Sequence, residues 1–347
     1  MRVVKVGGSV LRAASDYARH AKLALELGAR IVVVSAMRGV TDALLRAAET
    51  RDKRMLRATL DSIVSVAEEV GAKGFEKWVD RCMRAFEAYS NHPSRQLLDE
   101  ILATGERVSA CTMAAALEGL ASRVIALDGG EAGVVTDDRF GEARPLVEDC
   151  FAGIRRALEP LLPKYDAIVV AGFVGSTRDG RTTTMGRGAS DLTASLVAAA
   201  LSAGELYLVT DTPCLMSADP DLVPTAHPLK QVGLSEADAM AELSVKRFHP
   251  LTFKILRGSA CRVVVGSSPP AGTEIEDALP PPDLKVVSLR EGKLVFVGHG
   301  AKRLAPAVAR DLGLRLLEVG GLYFTLTPGD PLLLLEAHKE LLKYWWE

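Results

Sequence analysis

Apolar residues along the chain alternate between short β-branched runs and longer stretches with helical spacing. Residues 3–6 are such a run and end in Gly7-Gly8; residues 15–27 then carry helix-compatible spacing that Gly28 closes. The run at 31–34 is continuously apolar, which predicts a strand covered on both faces, as in a parallel sheet. A helical pattern over 41–49, a charged, helix-prone stretch over 51–90 and a further helical pattern over 94–120 make a long helical excursion. Strands are predicted again at 124–126, 167–170, 206–210 and 262–265, with helices over 146–162, 192–202, 235–245 and 250–256. Strands alternating with helices predict an α/β fold with a mainly parallel central sheet.

The stretch 267–283 holds Pro269, Pro270, Pro280, Pro281 and Pro282 and interrupts the periodic signal. It predicts a large domain over 1–265, a proline-rich linker over 266–283 and a small domain over 284–347. In the last of these, strand patterns at 285–288 and 294–297, a helix at 301–312, strands at 314–318 and 322–326 and a helix at 331–344 give the order ββαββα. That order suits a small α+β unit with its helices on one face of an open sheet. No internal repeat is present.

Composition narrows the function classes. With 347 residues, 48% of them hydrophobic, the chain has ample material for a large core and a second unit. A net charge of −2 and a pI near 6.4 give no footprint for general nucleic-acid or membrane-surface binding. The five cysteines are scattered and lack CxxC spacing, which speaks against disulfides and a zinc site, and no metal-ligating residues are assigned. The opening MRVVKVGGSVL lacks a cleavage pattern, and the apolar stretch after Leu192 is too short between charges to span a bilayer, so a cytoplasmic location is expected. One Asn and two Gln against many Glu and Arg match heat-adapted proteins.

Polar, glycine-bearing segments follow four of the predicted strands. Gly7-Gly8 let backbone N–H groups approach an anion, with Lys5 close by, although a plain strand-to-helix turn accounts for the pair equally well. The segment Ser35 to Asp42 follows the second strand, and Thr41 there also suits the N-cap of the next helix. GFVGSTRDGRTTTMGRGASDLTA at 172–194 follows another strand, and Thr210-Asp211 closes yet another. In open α/β sheets, ligands bind at the carboxyl ends of the strands, so the four segments are expected to converge on one rim. Neither GxGxxG nor GxxxxGK[ST] occurs.

In this order the segments resemble aspartokinases of the amino-acid kinase family. KVGGS at 5–9, VVVSAMRGVTD at 32–42, LATGERVSA at 102–110, the 172–194 block, TDTPCLMSADPDLVPTAHPL at 210–229 and LSEADAMAELSVKRFHP at 234–250 are each similar to a motif of that family. The likeness covers residues 1–260. It implies the amino-acid-kinase three-layer fold and transfer of the γ-phosphoryl group of MgATP to the side-chain carboxylate of L-aspartate, opening the route to lysine, threonine and methionine.

By the resemblance, Lys5 lies against the β- and γ-phosphates with Gly7, Gly8 and Ser9, and Lys246 is a second phosphate cation. Asp191 positions Lys5 or the metal. Arg187 clamps the substrate α-carboxylate, a task suited to its planar guanidinium; Glu106 attracts the α-ammonium; and Thr41, Gly188, Ala189 and Ser190 complete the substrate side. Thr210, Asp211, Met216 and Arg247 belong to the nucleotide side. Taken without the family, Glu106 reads sooner as a favourable charge at a helix start and Lys246 sooner as a solvated helix residue.

Several positions depart from the family pattern. Val6 and Ser9 stand for the usual Phe and Thr, Ala189 for the second glycine of Arg-Gly-Gly-Ser, Met216 for Tyr and Asp221 for Arg. Aspartokinases commonly end in a pair of ACT modules, whereas residues 284–347 leave room for one ACT-like unit. Pairing of that unit between subunits implies a homodimer. A kinase of N-acetylglutamate or carbamate, and a catalytically silent amino-acid-binding subunit, are the alternatives.

Overall fold

The computed structural model describes residues 1–120, 123–245 and 248–345. It divides into two compact units, Met1–Asp211 with Gly258–Cys261, and Thr212–Arg257 with Arg262–Glu347. The division falls elsewhere than the expected boundary in the proline-rich stretch.

The first unit runs β1 (Arg2–Val6), α1 (Ala14–Glu26), β2 (Ile31–Val34), α2 (Val40–Thr50), α3 (Lys53–Val70), α4 (Glu76–Asn91), α5 (Arg95–Leu102), α6 (Thr104–Glu118), β3 (Val124–Leu127), α7 (Val147–Leu158), β4 (Ala167–Ala171), β5 (Val174–Ser176), β6 (Thr182–Thr184), α8 (Ala189–Ala200) and β7 (Glu205–Val209). Five strands pair in the order β3-β4-β2-β1-β7, all parallel. Every residue of β2 and β4 is buried, as their uninterrupted apolar runs require when helices cover both faces. α1 and α6 form one helical layer and α7 and α8 the other. The register Val6↔Val34, Val6↔Val209 and Val34↔Ala171 ends β1, β2, β4 and β7 at one level. Gly7, Ser35, Gly172 and Thr210, the next residue of each, therefore share one rim.

Two helix starts differ from expectation. α2 begins at Val40 with Gly39, at φ 81°, in the cap position, so Thr41 lies inside the first turn and caps nothing. α8 begins at Ala189 rather than 192, because Gly188 at φ 78° turns the chain directly into the helix. Ser190 and Asp191 thus occupy its first turn. The antiparallel pair β5–β6 was not anticipated in the polar run before it.

The second unit contains β8 (Gln231–Gly233), α9 (Leu234–Glu242), β9 (Arg262–Ser268), β10 (Ala271–Glu276), β11 (Val286–Arg290), β12 (Lys293–Val297), α10 (Ala301–Asp311), β13 (Arg315–Val319), β14 (Tyr323–Thr327) and α11 (Pro331–Lys343). β10 lies within the stretch expected as a linker, pairing antiparallel with β9 and parallel with β8. The helix expected over 250–256 is reduced to a 3-10 turn at Lys254–Leu256. β11, β12, β14 and β13 form an antiparallel sheet in that order, the ββαββα arrangement of an ACT-like unit. Val287, Leu294, Phe296, Phe324 and Leu326 of the sheet bury against Leu304 and Val308 of α10 and Leu334 and Leu341 of α11.

Candidate functional site

Lys5 projects from the end of β1, and its Nζ lies 2.7 Å from Asp191 Oδ1 in the first turn of α8. Gly7 follows immediately. Its N–H donates to Val209 C=O at 3.0 Å, so it is spent on the sheet and is not free for a ligand. A Cβ on Gly7 would lie 3.2 Å from Lys5 Nζ, and one on Gly8 would lie 2.5 Å from Ala36 O. The two glycines thus let the loops after β1, β2 and β7 close around the lysine. Residues Gly8–Val10 form a 3-10 turn, whose start leaves the N–H groups of Gly8 and Ser9 without an intrahelical acceptor.

Glu106 sits in the first turn of α6 and is 4% exposed. Gly105 allows this, since a Cβ there would lie 2.8 Å from Ala36 Cβ in the loop after β2. Burial pushes the Glu106 carboxyl up to about 8, against a smaller opposing pull from the backbone at Ala36. Its Oε2 is buried with no hydrogen-bond partner among the described residues. A buried carboxyl with an unused oxygen is a trap for a cation.

Arg187 is 89% exposed, between Gly186 and Gly188, both with left-handed backbones. Its Nη2 meets Asp42 Oδ1 at 2.8 Å, which places the guanidinium beside Thr41 and the start of α2. Ala189, Ser190 and Asp191 are buried. Ser190 packs against Gly172, where an added Cβ would come within 2.6 Å of Ser190 Cβ. Thr210 Oγ1 donates to Asp211 Oδ1 at 3.2 Å, and both residues lie at the rim beyond β7.

Met216 lies in the second unit, where it bridges Pro228 and its Sδ is 3.7 Å from Cys214 Sγ. Lys246 and Arg247 lie outside the described residues. The first unit alone therefore brings together Lys5, Gly7, Gly8, Ser9 and Asp191 at one position, and Thr41 and Arg187 at a second through Asp42.

Residue-by-residue reading of the sequence missed several contributors. Phe173, after Gly172, holds φ 65°, a left-handed backbone that a bulky residue keeps only when its surroundings impose it. Tyr17 Oη lies 2.8 Å from Ser109 Oγ, which in turn donates to Ser35 C=O at 2.7 Å and anchors the loop after β2. Arg107, 2% exposed, reaches Glu100, Asp128 and Thr182 and lies over the Trp78 ring. The GER triplet at 105–107 carried a signal for the last of these, since a buried arginine needs carboxylates around it.

Residues 1–267 match the amino acid kinase family. The chain belongs to that family. Within it, the lysine-sensitive aspartokinase 3 of Escherichia coli is 31% identical, the match covering 87% of this chain and 70% of that protein. The aspartokinase of Geobacillus stearothermophilus is 34% identical over 55% of this chain, and the match spans only 46% of that relative's length. The crystal structure of E. coli aspartokinase III in complex with aspartate and ADP superposes with a TM-score of 0.78 at 26% identity, covering 97% of this chain and 83% of that one. The same enzyme with lysine and aspartate gives 0.74 at 27% identity. As a member of the amino acid kinase family similar to aspartokinases, the chain carries a mainly parallel central sheet together with an ACT-like antiparallel sheet.

Proposed function

We propose that the protein is an aspartate kinase, transferring the γ-phosphoryl group of ATP to the side-chain carboxylate of L-aspartate to give 4-phospho-L-aspartate and ADP, the first step toward lysine, threonine and methionine. The observation that carries this reading is Glu106: a buried carboxyl with an unpartnered oxygen, on a helix packed against the rim that also holds Lys5, suits the ammonium of a free amino acid. An N-acetylated acid or carbamate would offer no ammonium to it, so those acceptors are disfavoured. The E. coli relative bound to aspartate and ADP supports the same assignment.

The acceptor carboxylate is ionised at neutral pH, so no general base is needed. The chemistry reduces to holding two anions in line and stabilising charge on the transferred group. Lys5, held by Asp191, offers its ammonium to the phosphates together with the N–H groups of Gly8 and Ser9, while Gly7 provides room. Arg187 takes the α-carboxylate, and exchange from Asp42 to substrate keeps its charge paired. Thr41, Gly188, Ala189 and Ser190 line the substrate side, and Thr210 and Asp211 serve the nucleotide; by the sequence resemblance alone, Met216, Lys246 and Arg247 would serve the nucleotide as well. Mg2+ suits this site as a companion of the nucleotide, because it binds through few carboxylates plus phosphate oxygens and Asp211 is exposed at the rim. Bound there it would neutralise phosphate charge.

We further propose a catalytic domain over 1–265, a connection over 266–283 and an ACT-like domain over 284–347, in a heat-adapted, cytoplasmic homodimer. The edge strand β13 exposes Leu317 and Val319, which supports pairing with a second copy through the ACT-like sheet. No described helix is long and apolar enough to cross a membrane. Trapping the acyl phosphate with hydroxylamine tests the activity. Aspartate-dependent hydroxamate should form, and Arg187→Ala should raise the aspartate KM about tenfold or more with ATP binding retained. No aspartate-dependent product would overturn the assignment, and equal loss of ATP binding would remove Arg187 from its role. A silent regulatory subunit would bind no ATP in calorimetry.

A further inference from the structure

Asp99, on α5, has no role in the site as described so far. It is completely buried, yet both carboxylate oxygens are fully used. Oδ1 accepts from Thr184 Oγ1 at 2.7 Å, and Oδ2 accepts from the N–H groups of Thr184 and Gly141, each at 3.0 Å. The third polar group of Thr184, its C=O, accepts from Ala143 N–H at 3.0 Å. Thr184 is thus immobilised at every hydrogen-bonding atom, and it is the last residue of β6, three before Arg187.

The other end of the same strand is held from the same helical corner. Arg107 Nη2 donates to Thr182 Oγ1 at 2.9 Å, and Arg107 Nη1 donates to Glu100 Oε1 at 2.5 Å. Glu100 follows Asp99 on α5, and Arg107 follows Glu106 on α6. The α5–α6 corner therefore carries Glu106 itself and grips β6 at both ends. Beyond the grip, Met185 is buried and its N–H bonds Phe173 C=O, and the left-handed Gly186 and Gly188 then turn the chain around Arg187, their carbonyls accepting from Ala189 and Asp191 N–H.

We infer that Asp99 is a positioning residue for amino-acid recognition, setting the distance between the ammonium-binding Glu106 and the carboxylate-binding Arg187 by fixing Thr184 to the α5–α6 corner. The inference rests on the proposed aspartate kinase activity. It explains why a buried carboxylate is placed here: one acceptor group satisfies two backbone N–H groups and a hydroxyl on two different segments, which no apolar residue could do.

The test compares Asp99→Ala and Asp99→Asn in the full-length protein, with separate KM values for aspartate and ATP and thermal unfolding of each variant. Asparagine can keep the arrangement, its carbonyl accepting both N–H groups while its amide donates to Thr184 Oγ1. Asp99→Ala is expected to raise the aspartate KM about tenfold while the ATP KM stays within about twofold, and Asp99→Asn to restore the aspartate KM to within about threefold of the parent. If Asp99→Ala does not fold, Thr184→Val carries the same reading, with a rise of about threefold confined to aspartate. Both KM values moving together, or lowered thermal stability with an unchanged aspartate KM, would make Asp99 a fold residue only and overturn the inference. A parent protein without aspartate-dependent turnover would instead overturn the activity on which it rests, and the inference with it.

Discussion

Lys5 Nζ and Asp191 Oδ1 meet at 2.7 Å across the ends of β1 and α8, with side chains only 12% and 8% exposed. The pair joins the lysine of the first strand to the helix that begins at the arginine loop. Replacing Lys5 by Met is expected to lower kcat about a hundredfold, the scale of losing one preorganised electrostatic contact to the transferred group. It also leaves Asp191 without its cation, at a cost on the order of 3 kcal/mol. The double variant Lys5→Met with Asp191→Asn should recover much of that stability in denaturant unfolding and none of the rate. Recovered activity in the double variant would remove Lys5 from the reaction.

Glu106 makes stability and binding depend on pH in a defined direction. Burial raises its carboxyl to about 8 in the folded protein from an ordinary value of 4.5. Between those values the folded state binds more protons than the unfolded state, so its contribution to stability is full below the lower value and is lost as pH rises through the upper. The slope from this group approaches about 1.4 kcal/mol per pH unit inside the window. A bound ammonium reverses the preference. Aspartate binding at pH 7 should therefore release about one proton, read by calorimetry in buffers of different ionisation enthalpy. Glu106→Gln should abolish the release, and release persisting in that variant would assign the proton elsewhere.

Gly172 tests how closely the rim is packed. An added Cβ would sit 2.6 Å from Ser190 Cβ and 2.8 Å from Ser190 Cα, so the first turn of α8 would have to move. Gly172→Ala is expected to cost about 2 kcal/mol and to displace Asp191 from Lys5, lowering kcat as well as stability. Gly180→Ala is the control, since its Cβ meets open space and only the φ of 83° opposes it. That variant should lose about 1 kcal/mol and keep its rate. Equal kinetic losses in both would mean that the contact with Ser190 is immaterial.

What could be read in advance follows from the range of the forces involved. β1, β2, β4 and β7 announce themselves because strands buried on both faces need continuous apolar runs, and the rim follows from their parallel order. β5 and β6 are three residues each and built from Val-Gly-Ser and three threonines, so their pairing rests on partners rather than on pattern. β10 hides between the prolines at 269–270 and 280–282, which mask its short alternating pattern. Gly39, not Thr41, takes the cap position of α2, because a left-handed glycine redirects the chain before a hydroxyl cap is required. Lys5 and Arg187 stand out as charges among glycines, whereas Asp99 does not: its partners, two backbone N–H groups and a hydroxyl, lie 42 and 85 residues away. No local pattern encodes such a contact.

In the second unit, Lys285 and Glu236 are fully buried and joined at 2.9 Å. Lys285 also donates to Pro282 C=O at 2.9 Å and to Pro280 C=O, so the proline-rich segment is wrapped around its ammonium. Glu236 in turn accepts from the N–H groups of Gly233 at 2.8 Å and His299 at 2.9 Å. Burial lowers the Lys285 ammonium from its ordinary value, while the adjacent Glu236 carboxylate holds it up. Since both charges are out of water, removing one strands the other. Lys285→Met should destabilise the protein by about 3–5 kcal/mol, with two carbonyls and a carboxylate losing their donor together. Adding Glu236→Gln should cost less than the sum of the single changes, because the amide leaves no charge stranded and its carbonyl still accepts one of the Gly233 and His299 N–H groups, which reach different carboxylate oxygens. The measurement is a double-mutant cycle in denaturant unfolding. Additive costs, or a Lys285→Met variant within about 1 kcal/mol of the parent, would show that the ammonium is dispensable and that the proline segment is held by its apolar packing instead.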